Sequence, residues 1–270
     1  MNDILRRELA PVTDAAWDFI DHQALQVLKP NLSARSIVDF SGPHGWELGA
    51  VNLGRVEIEQ GEPLNGVHWG LRENLPLIEI RIPFKLNQME LDFVNRGSKD
   101  PDLSAVQDAA RRAAIFEDMA VYNGFKEAGI EGIAEATPHD RIELSDDAEE
   151  IEKAVAKAVE MLRLTGIGGP YALILALSQY HSLLQSTKTG YPLYKVAQEM
   201  VQGKITWSLA LEGGLLVSTR GGDYEITVGQ DLAIGYHLHT KEDVELYMTE
   251  SFTFRVLEPL AAVVLASPTE

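Results

Sequence analysis

Residues 100–124, DPDLSAVQDAARRAAIFEDMAVYNG, predict the longest helix of the chain. Asp100 is placed to cap its first turn, Pro101 suits the first helical position, and Gly124 supplies a left-handed stop. Charged residues such as Asp118 fall between apolar ones that recur at three- and four-residue steps: Leu103, Val106, Ala109, Ala110, Ala113, Phe116 and Ala120. We expect one buried face and a helix of about 35 Å that crosses a whole domain.

The composition describes a globular chain with a strong acidic excess. Its 270 residues are 45% apolar, and 41 acidic against 23 basic residues give a formal charge of −18. Such a surface repels nucleic acid phosphates and anionic membranes. The chain has no cysteine for a disulfide or a thiolate metal site, and Met1–Leu9 lacks the apolar core of a signal peptide. We therefore expect a cytoplasmic protein with neither nucleic acid nor membrane as a partner.

A second, amphipathic helix is predicted near the N-terminus. Thr13 and Asp14 open it and Pro30 ends it. One stripe of the helix is apolar: Trp17, Ile20, Ala24, Val27 and Leu28. The pattern alone allows this stripe to pack on the chain's own domain, which is the plainer interpretation, or to receive a partner.

Residues 37–84 have β character. Val51–Glu59 and Leu77–Phe84 are predicted strands, and the turn-rich Gln60–Gly66 lies between them. The second strand alternates cleanly, with one apolar face: Ile78, Ile80, Ile82 and Phe84. Together they predict a two-stranded arm. Because an isolated hairpin is marginal in water, the apolar row must lie against another surface, in the same chain or in a neighbouring subunit.

The rest of the chain mixes helices and strands. A helix capped by Ser145, a buried strand from Tyr171 and helices around 178–184 and 192–201 are followed by glycine-separated strands from Lys204 onward. The polar stretch Gln185–Tyr191 is predicted to be an exposed loop. This order of elements indicates an α+β fold.

Few residues suggest catalytic chemistry. His237 and His239 are two residues apart, so their imidazoles lie on one face of a predicted strand, near Glu242 and Asp243. A metal-dependent hydrolase is therefore one hypothesis. Two ligands without a clear third, however, are more often solvated polar residues in a turn. The adjacent acids of Glu117–Asp118 diverge by about 100° on a helix and cannot form one carboxylate pair. We predict no catalytic residue, metal or cofactor.

Short motifs, each weak alone, occur in register from about Leu5 to Val264: Asp39–Glu47, Trp69–Arg72, Leu75–Glu79, Glu90–Asp92, Arg96–Gly97, Gly129–Gly132, Gly168–Tyr171, Arg220–Asp223, Gly229–Leu232 and Thr249–Phe254. With these motifs the chain resembles the encapsulins. The resemblance implies a non-enzymatic shell protein with the HK97-type fold of tailed-phage capsid subunits. Its copies would assemble into a closed icosahedral nanocompartment around a cargo enzyme.

The resemblance also implies a domain plan. Residues 1–40 would form an N-terminal arm with an inner-surface helix, and 41–85 an extended loop. A peripheral domain would be formed by residues 86–133 and 221–270, and the helix predicted for residues 100–124 would be its spine helix. An axial domain would be formed by residues 134–220.

Three sets of residues receive roles from the resemblance. The row Ile78, Ile80, Ile82 and Phe84 would lie on a neighbouring subunit. A pore around a symmetry axis would be lined by Gln185, Ser186, Thr187, Lys188, Thr189, Gly190 and Tyr191. The C-terminal peptide of a cargo enzyme would dock near Trp17, Ile20, Ala24, Val27, Leu28, Arg35, Asp39 and Phe40.

The cargo implied by the family is a dye-decolourising peroxidase or a ferritin-like protein. Some relatives carry an aromatic residue where this chain has Met89, so no flavin site is predicted. The alternative within the same fold is a phage major capsid protein that encloses DNA.

Overall fold

The computed structural model describes residues 4–58, 65–188 and 190–267. The helices in these ranges are α1 Asp14–Asn31, α2 Gln88–Asn95, α3 Ser104–Tyr122, α4 Ile133–Ala136, α5 Ala148–Leu164, α6 Leu177–Gln185 and α7 Leu193–Val201. The strands are β1 Asp39–Ser41, β2 Ala50–Ile58, β3 Gly70–Pro76, β4 Ile78–Asn87, β5 Ile142–Glu143, β6 Tyr171–Leu175, β7 Thr187–Lys188, β8 Tyr191–Pro192, β9 Ile205–Trp207, β10 Gly214–Ser218, β11 Tyr224–Val228, β12 Ala233–His239, β13 Asp243–Val256 and β14 Ala262–Ala266.

The spine helix α3 is shorter than predicted. It begins at Ser104, because Asp102 accepts hydrogen bonds from the backbone N and the Oγ of Ser104, whereas Asp100 bonds to the Ser98 hydroxyl. Its 19 residues span about 28 Å. The predicted stop at Gly124 is confirmed by a φ of +88°.

One of the two large sheets, here called the first sheet, is covered by α1 and α3. Strand β13 is its centre: β12 and then β11 pair along one edge, β4 along the other, and β1 extends the sheet beyond β11. Four alanines of α3 that face this sheet and α1 are fully buried and, having small side chains, allow the layers to approach closely: Ala109, Ala110, Ala113 and Ala114.

The second sheet has five strands in the order β5-β14-β10-β6-β9, and α5, α6 and α7 pack on it. Its central strands β6 and β10 are buried along their whole length. The last strand, β14, lies in this sheet between β5 and β10. Residues 262–266 therefore lie in the second sheet, apart from the first sheet that holds the other strands of the predicted peripheral segment 221–270.

The predicted arm pairs differently from expectation. Strand β2 pairs with β3, and the segment 59–64 at the tip of this hairpin lies outside the described residues. Strand β4 pairs instead with ten residues of β13 in the same chain. Of the segment 41–85 predicted as an extended loop, residues 50–76 form this hairpin and residues 78–85 lie in the first sheet.

This pairing corrects the role predicted for the apolar row of β4. Phe84 is buried, and Ile78, Ile80 and Ile82 pack against the chain's own two cores. The alternation indicated a one-sided strand correctly. Its partner lies about 160 residues later in the sequence, and alternation carries no information about which surface covers it.

Candidate docking and assembly surfaces

The apolar stripe of α1 faces the chain's own core. Trp17, Ile20, Ala24 and Leu28 are buried against α3 and the first sheet, and Val27 is partly buried there. Thr13 caps the helix as predicted, but the helix continues through Pro30 to Asn31. Trp17 and Ile20 are therefore not free to hold a partner, which corrects the docking role given to them, whereas Ala24 and Leu28 also border open surface beside the helix.

A groove of about 350 Å³ lies beside this helix. Its lining is mostly apolar: Leu5, Arg7, Asp21, Ala24, Leu25, Leu28, Leu232, Ala233, Ile234 and Met248. Leu25 is 50% exposed, so the groove offers open apolar surface of the kind that receives an apolar peptide side chain. The surface available near α1 is this groove, which Ala24 and Leu28 of the stripe border together with the exposed Leu25.

Arg7 fixes one wall of the groove. Its Nη atoms donate to the two carboxylate oxygens of Asp21 at 2.5 and 2.8 Å, and its Nε donates to the carbonyl of Ile234 at 2.7 Å. The guanidinium also lies 4.3 Å from the centre of the Trp17 ring. Together with a hydrogen bond from the Tyr236 N to the Leu5 carbonyl, these contacts hold the N-terminal segment along the outer edge of β12. Sequence patterning gave no indication of this role of Arg7.

The other three residues predicted to join the docking site have different surroundings. The guanidinium of Arg35 is paired with carboxylates of its own chain, and Asp39 accepts a hydrogen bond from the Gly222 N at 2.6 Å. Phe40 is 40% exposed. The positive charge of Arg35, predicted to take part in docking, therefore pairs with carboxylates of the same chain.

A buried ionic cluster surrounds Arg35. Glu117 on α3 and Glu250 on β13 are fully buried, and the Nη2 of Arg35 donates to both carboxyl groups, at 2.6 and 2.5 Å. Its Nη1 donates to the half-exposed Asp231 at 2.8 Å. Burial raises the pKa of Glu250 well above its ordinary value, and the negative charge of Glu117 raises it further. The cluster joins the segment after α1 to the spine and the long strand.

Asp118, predicted to lie off the buried face of the spine, is fully buried as well. It accepts hydrogen bonds from the Ser33 N and Oγ, from the Ala34 N at 2.9 Å and from the Ser208 Oγ at 2.7 Å. Burial raises its pKa to about 6, against these hydrogen bonds, which lower it. The two adjacent acids do diverge, as expected, each toward a different part of the fold.

The β2–β3 hairpin exposes an unusual number of large apolar side chains. They are Val56, Ile58, Val67, Trp69 and Leu71, and Ile58 has the largest exposed fraction, 68%. The ladder is interrupted between Asn52 and Val56, where Gly54 takes a φ of +72°. The hairpin thus carries apolar surface with no core of its own chain beneath it.

The predicted pore loop is a small hairpin rather than an unpatterned loop. Gln185 ends α6, Ser186 follows it, and Thr187–Lys188 pairs with Tyr191–Pro192 around Gly190, whose φ is +85°. Lys188 Nζ lies 2.8 Å from a carboxylate oxygen of Glu152. Thr189 lies outside the described residues, and the pore role of the segment stays a prediction.

The histidine hypothesis gains no support from the geometry. A register shift between Tyr236 and Leu238 interrupts the alternation of β12, and the Nδ1 of His239 bonds to the Tyr236 hydroxyl at 2.6 Å. Among the described residues no three histidine or acidic side chains are grouped to hold a metal ion. Met89, the residue at which some relatives carry an aromatic side chain, is exposed on α2.

None of the helices in the described ranges combines the length and the apolar character of a membrane-spanning segment.

Known proteins resemble this chain over nearly its whole length. A family model described as "encapsulating protein for peroxidase" matches residues 1–253. The type 1 encapsulin shell protein of Rhodospirillum rubrum is 42% identical over 271 residues, which cover 98% of this chain and 96% of the relative. That of Brevibacterium linens is 42% identical over 263 residues, covering 97% and 98%.

Solved structures share the architecture at lower identity. A virus-like particle from Pyrococcus furiosus superimposes with a TM-score of 0.64 at 20% identity, covering 93% of this chain and 99% of that one. A Mycobacterium phage Bobi structure has a TM-score of 0.56 at 13% identity, covering 90% and 92%.

Proposed function

The chain belongs to the encapsulin family of shell proteins and has the α+β, HK97-type capsid fold, and from this premise we propose that its copies assemble into a closed icosahedral compartment. The observation that carries the proposal is the exposed apolar surface of the 50–76 hairpin. A two-stranded hairpin is marginal in water, and large exposed apolar side chains such as Ile58 and Leu71 favour burial against another surface. A second copy of the same chain would cover this surface, and closed symmetry would give every hairpin a neighbour to receive it.

Within such a shell the protein is a container, and the chemistry belongs to what it encloses. The relevant surface is the groove between α1 and the start of β12, whose apolar lining suits the C-terminal peptide of a cargo enzyme. The cargo proposed is a dye-decolourising peroxidase or a ferritin-like protein, and the family description supports the first of these. In this role the shell protein is not itself an enzyme, and the compartment lies in the cytoplasm.

The second candidate function is a phage capsid that packages DNA, since phage capsids share the fold. The formal charge of −18 favours protein over DNA as the enclosed material, because an acidic lumen would repel phosphates. DNA protected from nuclease inside purified particles would support the capsid candidate.

The test of assembly is the size of the purified protein, measured by light scattering and negative-stain microscopy. We expect uniform hollow spheres from the natural chain and small oligomers from Ile58→Asp, which places a charge in the apolar hairpin surface. Asn74→Asp adds the same charge on an exposed residue of the same hairpin and should leave the spheres intact. A folded monomer from the natural chain, or intact spheres from Ile58→Asp, would contradict the proposal.

A further inference from the structure

The ionic cluster around Arg35 contains more carboxyl groups than one cation can balance. Glu117 and Glu250 are fully buried, and each places an oxygen against the same nitrogen, Nη2 of Arg35. The second oxygen of Glu250, Oε2, is buried with no hydrogen-bond partner among the described residues. An ionised carboxylate with an unpartnered buried oxygen is costly, whereas a protonated carboxyl group carries no charge to compensate.

Four elements packed around the cluster contribute charged groups. The segment after α1 contributes Arg35, the spine Glu117 and the adjacent Asp118, β13 Glu250, and the connection from β11 to β12 contributes Asp231. Strand β1 places the ring of Phe40 5.2 Å from the Arg35 guanidinium, and its Asp39 accepts a hydrogen bond from the Gly222 N. Asp118 is directed away, to the donors of Ser33, Ala34 and Ser208.

We infer that the Glu117–Glu250 pair binds one proton in the folded protein, carried by Glu250, and that loss of this proton in alkaline solution loosens the junction at Arg35. With the proton bound, one guanidinium faces one buried carboxylate and the half-exposed Asp231. Without it, a second buried negative charge faces the first across the same nitrogen. The raised pKa of Glu250, caused by burial and then by the charge of Glu117, agrees with this geometry.

The position of the pair gives the proton a mechanical consequence. Glu250 lies where the neighbour of β13 changes, since β12 pairs as far as Thr249 and β11 from Phe252 onward. Arg35 follows directly on the helix α1 that forms one wall of the docking groove. Repulsion at this point would separate the N-terminal segment from the spine and the sheet. This inference concerns the subunit itself and does not depend on the cargo proposal.

The sign of the pH dependence follows from linkage. A carboxyl group with a raised pKa in the folded state stabilises the fold at low pH, and this stability is lost as the pH rises from the unfolded pKa toward the folded one. Within that window one proton changes the unfolding equilibrium constant about tenfold per pH unit.

The experiment uses the purified assembled protein. Difference infrared spectra of protein containing isotope-labelled glutamate should show a protonated carboxyl band at neutral pH that disappears on alkaline titration. Glu250→Gln, which mimics the neutral group, should lack this band, and its urea midpoint should fall less on going from neutral to alkaline pH than that of the natural protein. Glu127→Gln removes an exposed acid of the 126–128 turn and should behave as the natural protein does.

Two results would overturn the inference. One is the absence of any protonated glutamate band in the natural protein at neutral pH, a measurement that requires no variant to fold. The other is a protonated band that persists in Glu250→Gln together with an unchanged pH dependence, which would place the proton on a different residue. If Glu250→Gln does not fold, Glu117→Gln provides the same comparison from the other member of the pair.

Discussion

Replacing Arg35 by methionine should be among the most damaging single changes in this fold. The guanidinium donates three hydrogen bonds to Glu117 and one to Glu250, both fully buried, so its removal leaves the Glu117 carboxylate without a counter-charge and both carboxyl groups without these donors. Breaking a buried ion pair from one side costs about 3–5 kcal/mol. The bond to the half-exposed Asp231 adds at most about 1 kcal/mol. Native domains are stable by about 5–15 kcal/mol, so the variant would lose a large fraction of its stability.

The assay is urea unfolding of the purified protein, followed by tryptophan fluorescence at neutral and at mildly acidic pH. The loss should be large at neutral pH and smaller in acid, where a buried carboxylate that has lost its cation can be neutralised by a proton. Arg111→Met is the control, because the Arg111–Asp108 pair is exposed and worth about 0.2–1 kcal/mol. A loss for Arg35→Met no larger than that of the control, or one that grows on acidification, would refute the reasoning.

Two further outcomes follow from the same structure. Leu25→Glu places a charge in the open groove beside α1, so shells of this variant co-expressed with a dye-decolourising peroxidase should form normally and purify empty. The control is Leu257→Glu, an exposed site that does not line the groove, and its shells should load fully. Full loading of both variants would reject the groove as the docking site. Burial raises the pKa of Asp118 from its ordinary value of 3.8 to about 6, so the folded protein binds more protons between these values and its stability should rise by about 3 kcal/mol as the pH falls through this window. Asp118→Asn should flatten that part of the curve of urea midpoint against pH, and a natural protein that loses stability over the same window would contradict the assignment.

Local pattern was sufficient for most elements of the fold. The spine helix, the stripe of α1 and the alternation of β4 follow from periodicity, because burial of one face imposes a repeat of 3.6 or 2 on the sequence. What periodicity omits is the identity of the covering surface. The apolar row of β4 reads the same whether β13 or a neighbouring subunit lies beside it, and the stripe of α1 reads the same for core and partner.

The buried polar residues could not be predicted in the same way. Glu117 and Asp118 are charged residues on a helix, which ordinarily marks an exposed face, and their burial depends on Arg35 and Ser33, more than 80 residues earlier. Arg7 is similar, since its partners Asp21 and Ile234 lie on separate elements. Such partnerships are properties of the folded arrangement, and no local spacing records them.

Strand β14 completes the second sheet late in the synthesis of the chain. It occupies the place between β5 and β10, and its partner β5 lies about 120 residues earlier in the chain. Until residues 262–266 have left the ribosome, β10 has one open edge and β5 has no strand to join. The second sheet is therefore incomplete until then, whereas every strand of the first sheet lies earlier in the chain. A chain that stops before residue 262 would leave an edge of β10 unpaired, and an unpaired edge of this kind is a site for pairing with other chains.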